Sequence, residues 1–239
     1  RINHEILDVL DIDSPLAVGW IDCEVEPFVF DPDAAKALLE EAGWVDPDGD
    51  GVREASGALY AEDGTKMELS MNGYTGFESN ELAELAIQED LAAVGIKVNI
   101  EDQDFAVIFG TWEDASPRLV GDYDMLFYDS GFFAEPHDAI RSNYHPSQVP
   151  SAENPAGDNV TRWVREDVGE WIDAAGSTPD VDVRRENYCK VADAIREDIP
   201  VFPVLQFGEG SAYSVKLHGF TVSTWEYSTW DAENWWMEQ

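Results

Sequence analysis

Lysine is scarce in this chain, at Lys36, Lys66, Lys97, Lys190 and Lys216 only, and basic side chains number 14 against 50 acidic ones, for a net charge of −36. A surface so negative repels phosphates, which excludes nucleic acid as a partner and disfavours anionic membrane surfaces. Self-repulsion on this scale is tolerated most easily in high salt, where the Debye length shortens, so the composition reads as that of a halophilic protein. No apolar run approaches the length of a membrane span, and residue 1 opens no signal peptide. The chain begins with Arg1 and not with Met, as a piece of a longer protein does. Cysteine is limited to Cys23 and Cys189. That pair fits one disulfide in an oxidising compartment, or two unrelated buried thiols. Internal repeats, a P-loop, a G-x-S-x-G elbow and a dinucleotide fingerprint are all missing, so no catalytic constellation stands out.

What is present is a globular composition, 44% hydrophobic and 12% aromatic, enough for a real core. Residues 31–43, DPDAAKALLEEAG, carry helix signals at both ends: Asp31 to cap, Pro32 at the first position, Gly43 to stop. Ala35, Leu38, Leu39 and Ala42 form the apolar face. KMELSMNGY, 66–74, alternates as a strand with Met67, Leu69 and Met71 on one side. Ser79 is placed to cap a helix carrying Ala83, Ile87, Leu91 and Val94, Gly95 ends it, and Ile96, Val98 and Ile100 alternate as another strand. Strand, helix and strand joined this closely predict a parallel pair and an α/β layer architecture. A further strand is predicted within 123–133, loop from 135 to 159, helices near 163–175 and 183–199, and an edge or crossing segment at 200–207 because of its prolines. Short β pieces and Trp225, Trp230, Trp235 and Trp236 follow.

Two groups of residues offer metal ligands. In DPDGDGVREASG, 46–57, Asp46, Asp48, Asp50 and Gly51 match the early positions of an EF-hand loop, with the Val52 carbonyl available. The twelfth position is Gly57 where a bidentate Glu belongs, and Glu54 substitutes only if the loop closes differently. Asp-Gly pairs are also ordinary turn formers, so a calcium ion here is expected to be structural. Around 135–145, His137, His145, Glu135 and Asp138 are metal-type ligands without a fixed spacing, and the plainer reading is ordinary loop histidines. With 50 carboxylates, an acidic pair in a groove arises by chance and signals no glycosidase.

Order and residues together carry a resemblance. FDPDAAKALLEEAGWVDPDGDGVRE is similar to a segment of the extracytoplasmic solute-binding proteins of family 5, the dipeptide, oligopeptide and nickel class that serves ABC transporters. AIQEDLAAVGIKVNI, GDYDMLFYDSGFFAEPHDAI, RRENYCKVADAIREDIPVFPVL and KLHGFTVS resemble further landmarks of that family in the expected order. The resemblance covers about 30–225 and implies the C-terminal lobe of a class II periplasmic-binding-protein-like fold, a mixed sheet flanked by helices. It assigns 1–200 to that lobe and 201–239 to a segment returning toward an N-terminal lobe outside this chain. Family members of about twice this length close two lobes on a ligand. The implied function is non-enzymatic: capture of a peptide-like or oligosaccharide-like solute outside the cytoplasm and delivery to the membrane permease of an ABC transporter. In peptide-binding relatives, the corner after the Tyr-Asp strand supplies an acidic residue for the peptide amine. The matching stretch here implies ligand contacts from Asp129, Ser130, Gly131, Phe132, Phe133 and Glu135. It lacks the Asp-Tyr pair, and Glu135 is the nearest candidate for the amine. No cofactor is required, with a structural calcium ion the one addition. Two other readings of the sequence are an acidic calcium-binding extracellular module and a hydrolase with an acidic, aromatic cleft.

Overall fold

Asp31 begins the first helix as its sequence predicts. Its side chain accepts a hydrogen bond from the Ala34 N–H at 2.9 Å, and Pro32 opens α1 (Pro32–Glu41). The expected apolar face is not covered, however: α1 has no buried residue, and Leu38 is 65% exposed. The computed structural model describes Leu16 and residues 20–129, 135–204, 213–221 and 229–238. The chain divides into two units, one of Pro27–Asp129 with Gln148–Arg162, the other of Arg1–Glu26, Ser130–Ser147 and Trp163–Gln239.

In the first unit, α1 is followed by a hairpin of β1 (Trp44–Val45) and β2 (Glu54–Ala55), paired antiparallel with the acidic turn between them. Three parallel strands form its sheet: β3 (Glu68–Asn72) lies between β4 (Lys97–Ile100) and β5 (Met125–Leu126). The crossover from β3 to β4 is α2 (Glu78–Ala92), whose Ala83 and the following Val94 are buried, as are Met71 and Val98 of the strands. The α/β class holds, with the mixture of pairings divided between sheets: this one is parallel throughout, and the antiparallel pairs stand in separate two-stranded sheets.

Local departures from the expected elements have identifiable causes. Ser79 does not cap α2. The chain enters the helix at Phe77, and Glu81 reaches back to accept from the Gly76 N–H at 3.1 Å, which serves a free helix-start donor without a hydroxyl cap. The strand expected within 123–133 shortens to β5 because the Asp124 carboxylate takes both the Ser70 N–H (2.8 Å) and the Ser70 hydroxyl (2.9 Å), a side chain standing where a ladder bond would be. Two short helices, α3 (Phe105–Ile108) and α4 (Pro117–Val120), lie between β4 and β5.

The second unit is helical. α5 (His137–Tyr144) forms within the stretch expected to be loop, on the buried side chains of Ile140 and Tyr144; the prolines fall at its edges and not inside it. α6 (Glu166–Gly176) and α7 (Val181–Asp198) pack together through Val168, Ile172, Ala175, Tyr188, Val191 and Ile195. Residues 201–204 are irregular, and 205–207 lie outside the described residues. Near the end of the chain β6 (Leu217–His218) and β7 (Trp236–Met237) form an antiparallel pair, with the His218 ring stacked on Trp236 at 4.2 Å. Trp225 lies outside the described residues. No helix among the described residues is long and apolar enough to cross a membrane.

Cys23 and Cys189 form a disulfide, which settles the alternative that the sequence left open. It ties the buried segment around Ile21 to α7, where the Arg185 Nε also donates to the Trp20 carbonyl at 3.0 Å and the Arg196 Nε to the Glu26 carbonyl at 2.8 Å. The crosslink spans 166 residues. A closed loop of that length removes unfolded-chain entropy equivalent to about 5 kcal/mol in the simple chain model. Cys189→Ser is therefore expected to lower the denaturant midpoint markedly, and reductant is expected to shift the wild type to the same value. A wild type indifferent to reductant would contradict this.

Candidate functional site

Because β3 runs parallel to both neighbours, the C-terminal ends of all three strands open on one edge of the sheet, the usual place for ligands on open α/β sheets. Backbone pairing continues one step beyond β3 and β4: the Thr75 N–H donates to the Gln103 carbonyl at 3.0 Å, and Tyr74 faces Gln103 in a parallel bridge. On the other side the Phe127 N–H donates to the Asn72 carbonyl at 2.9 Å, which carries Tyr128 and Asp129 to the same edge.

Five aromatic rings gather there. Tyr74 meets Phe77, Phe105 and Phe109 edge-on, with centroids 5.1, 5.4 and 5.7 Å away. Phe105 and Phe109, one helical turn apart across α3, stack at 4.5 Å, and Phe109 meets Tyr128 at 5.8 Å. Asp104 starts that turn by accepting from the Ala106 N–H at 2.8 Å. The Arg118 guanidinium covers the Phe109 ring at 5.2 Å. The cluster is half open: Tyr74 is buried, while Phe77 and Phe105 remain 49% and 52% exposed.

Asp129, expected as a ligand contact, stands at the edge of this platform. Its Oδ2 accepts from the Tyr74 hydroxyl at 2.8 Å and from the Asn80 amide at 3.2 Å. Burial first, and then the bond to Asp129, push the Tyr74 phenol up to about 12, so it stays a donor across the neutral range. The result is an exposed carboxylate fixed in direction beside exposed aromatic faces. Such a surface can stack on flat or apolar parts of a small molecule and accept from an N–H or O–H group, a binding chemistry that needs no bond to break.

Ser130, Gly131, Phe132 and Phe133 lie outside the described residues. Glu135 belongs to the helical unit, where Arg184 holds it through both guanidinium nitrogens and its Oε1 also accepts from the His137 N–H at 3.0 Å. That arginine lies over the Trp20 ring at 4.9 Å and keeps the Glu135 carboxyl below its ordinary value. The charge of Glu135 is thus already matched within its own unit. Sequence reasoning missed Tyr74, Phe77, Phe105 and Phe109. The usable signal was positional: Tyr74 follows the predicted strand 66–74 directly, and Phe105 and Phe109 stand four apart shortly after the strand that ends at Ile100.

The metal candidates separate. His137 Nδ1 lies 3.0 Å from the Tyr188 hydroxyl, and His145 Nδ1 lies 2.7 Å from the Ser147 hydroxyl at the other end of α5, so each histidine serves its own neighbour and Asp138 joins no metal cluster among the described residues. In the acidic turn, Asp46, Asp48 and Asp50 do converge, with one carboxylate oxygen from each within 4.8 Å of the others. The turn has partners of its own. Asp46 accepts from the Gly49 N–H (2.8 Å) and Gly51 N–H (3.1 Å), Asp50 from the Val52 N–H (2.9 Å), and Lys66 bonds Asp50 and approaches Glu54 at 3.7 Å. The Lys66 bond is the main reason that the Asp50 carboxyl is held below its ordinary value. Glu54 lies on β2, outside the converging group. The turn also delivers Arg53, whose Nε donates to the Val94 carbonyl at 2.8 Å and whose Nη1 donates to the Trp44 carbonyl at 2.8 Å. A cation is thereby placed just beyond the C-terminal end of α2, where the helix dipole favours it. Gly95 (φ +92°) leaves room for that side chain, which a Cβ would strike.

The family model of the bacterial extracellular solute-binding proteins, family 5 (middle region), matches residues 11–151, more than half of the chain. The chain belongs to that family. A di/tripeptide-binding protein of Pseudomonas aeruginosa (strain UCBPP-PA14) is 30% identical over 212 residues, which cover 87% of this chain and 34% of the relative. Among solved structures, NikZ from Campylobacter jejuni in complex with Ni(L-His) superimposes with a TM-score of 0.77 at 20% identity, covering 97% of this chain and 44% of that one. A periplasmic oligopeptide-binding protein from Thermotoga maritima with bound mannohexaose gives 0.69 at 21% identity, over 84% of this chain and 37% of that one. This family 5 chain thus spans about a third of the length of the curated relative, and the structural likenesses establish the shared fold. Family 5 members are solute-binding proteins.

Asp129→Ala leaves the Tyr74 hydroxyl without its acceptor and the Asn80 amide with only a long bond to the Tyr74 oxygen at 3.4 Å, and an unsatisfied buried donor costs about 1–3 kcal/mol. It is expected to lower stability in urea unfolding by roughly 2–4 kcal/mol, with Asp129→Asn milder because an amide oxygen still accepts. Equal, negligible effects of both changes would contradict the anchoring role.

Proposed function

We propose that this chain is the part of an ABC importer's solute-binding protein that presents one ligand-contacting wall, and that its solute is a short peptide. The observation that carries the proposal is the aromatic edge of the parallel sheet with the Asp129 carboxylate fixed beside it. Exposed Phe77 and Phe105 offer apolar contact to side chains, and Asp129 offers an anion to an ammonium or amide N–H. The similarity to a di/tripeptide-binding protein supports the peptide class. A second reading, an oligosaccharide, is favoured by the same rings, since aromatic faces also stack on pyranose rings, and by the likeness to the mannohexaose-bound structure. Capture takes place outside the cytoplasm, in keeping with the family, and closure around the solute creates the form that docks on the permease.

The test uses the longer protein that carries this chain. Thermal unfolding is measured with alanine-rich di- and tripeptides, with mannohexaose and with the nickel–histidine complex, because a ligand raises the midpoint only of a state that binds it. Peptides are expected to raise the midpoint, and Phe105→Ala is expected to weaken them about tenfold or more while leaving the ligand-free midpoint nearly unchanged. A rise with mannohexaose alone replaces peptide by sugar. Hydrolysis of either probe, or binding indifferent to Phe105→Ala and Asp129→Asn, contradicts the proposal.

For the acidic turn of Asp46, Asp48, Asp50, Val52 and Glu54 the proposed role is structural, with no ion required. Its backbone amides and Lys66 supply partners within the protein. A calcium chelator is accordingly expected to leave the unfolding midpoint in place, whereas Lys66→Met lowers it slightly. A drop on chelation, reversed by calcium and absent in Asp46→Asn, would make the turn a calcium site instead.

A further inference from the structure

We propose that Glu84 holds a proton, which it shares as a hydrogen bond with Asp102 above Gly73, and so forms a pH-dependent latch on the C-terminal ends of β3 and β4. Glu84 lies on the inner face of α2 and is 1% exposed, yet its Oε1 has no protein hydrogen-bond donor among the described residues. Asp102 follows β4 and accepts from the Gly73 N–H at 3.1 Å. The two carboxyl groups converge on Gly73: a Cβ there would overlap Glu84 Oε1 and lie 2.8 Å from Asp102 Oδ1. Glycine is what leaves this space open.

Two carboxylates brought together in a water-poor site cannot both stay ionised. A proton held between them removes one charge and supplies the hydrogen bond that Glu84 otherwise lacks. Among the described residues no cation offers relief by counter-charge. The charged groups acting on Glu84 are Asp102 and, from its own helix, Glu81. From the end of β3 comes the neutral phenol of Tyr74, and from the end of β5 comes Asp129, which holds Asn80 one turn before Glu84 on α2. Burial, followed by the neighbouring Asp102, accordingly pushes the Glu84 carboxyl up to about 8.

The sign follows from linkage. The ordinary value for Glu is about 4.3, so the folded state binds an extra proton between there and about 8. The stabilising effect of that proton is complete below this window and is lost as the pH rises through it. Loss of the proton leaves two anions pressed together one residue before Tyr74, so the same change loosens the base of the aromatic edge.

The experiment compares chemical unfolding of the wild type, Glu84→Gln and Asp102→Asn from pH 5 to 9. The wild-type folding equilibrium is expected to fall by about a thousandfold more than that of Glu84→Gln over this range, with Asp102→Asn between them. Parallel wild-type and Glu84→Gln profiles would overturn the latch. Should Glu84→Gln fail to fold, infrared difference spectra of the wild type decide. A protonated-carboxyl band present at pH 7 and gone at pH 9 supports the shared proton, and its absence at pH 7 overturns it.

Discussion

Parallel pairing of β3 with β4 on one side and β5 on the other is the constraint on which the first unit depends. Antiparallel neighbours would send the next chain segments to opposite edges. Parallel ones bring Gly73–Tyr74, Asp102–Gln103 and Tyr128–Asp129 to a single edge, and the crossover helix α2 must begin there. The first turns of α2 therefore place Asn80 and Glu84 against those strand ends, where one holds Asp129 and the other meets Asp102. The aromatic platform, the fixed carboxylate and the pairing of Glu84 with Asp102 are consequences of one topology.

The excess of acid is absorbed by backbone amides as well as by cations. Asp31, Asp104 and Asp180 cap helices, and Asp46, Asp48, Asp50 and Asp63 accept from amides in turns. Scarce arginines in turn often serve carbonyls: Arg53 at Val94 and Trp44, Arg162 at Val160 and Leu119, Arg185 at Trp20, Arg196 at Glu26. Exposed ion pairs contribute little each, so this division places the few cations where a carbonyl would otherwise lack a donor. Lys66, at the acidic turn, is among those that do face carboxylates.

Much of the architecture was legible from pattern. The α1 signals, the 66–100 strand–helix–strand unit and helices α6 and α7 rest on local chemistry and periodicity, which a single sequence displays. The exposure of Leu38 and the helix at 137–144 were not legible, because burial depends on what packs against a segment and α5 depends on Ile140 and Tyr144 finding the helical core. For the site, the family resemblance pointed to the strand end that carries Asp129, while the rings beside it come from three separate stretches that only the fold assembles. In DPDGDGVREASG the aspartates that match a metal loop in sequence also converge in the structure, while the placing of Arg53 beyond the end of α2 by the same turn is visible only in the fold.

The proposed function requires that the edge formed by Tyr74, Phe77, Phe105, Phe109 and Asp129 contact the solute. The most direct measurement is fluorine NMR of the longer protein labelled with fluorophenylalanine, recorded during titration with a tripeptide, with resonances assigned by single Phe→Leu replacements. The account predicts that the Phe77 and Phe105 signals shift in proportion to occupancy while that of Phe30, exposed on the same unit before α1, stays in place. Saturable binding that leaves Phe77 and Phe105 unmoved would contradict it.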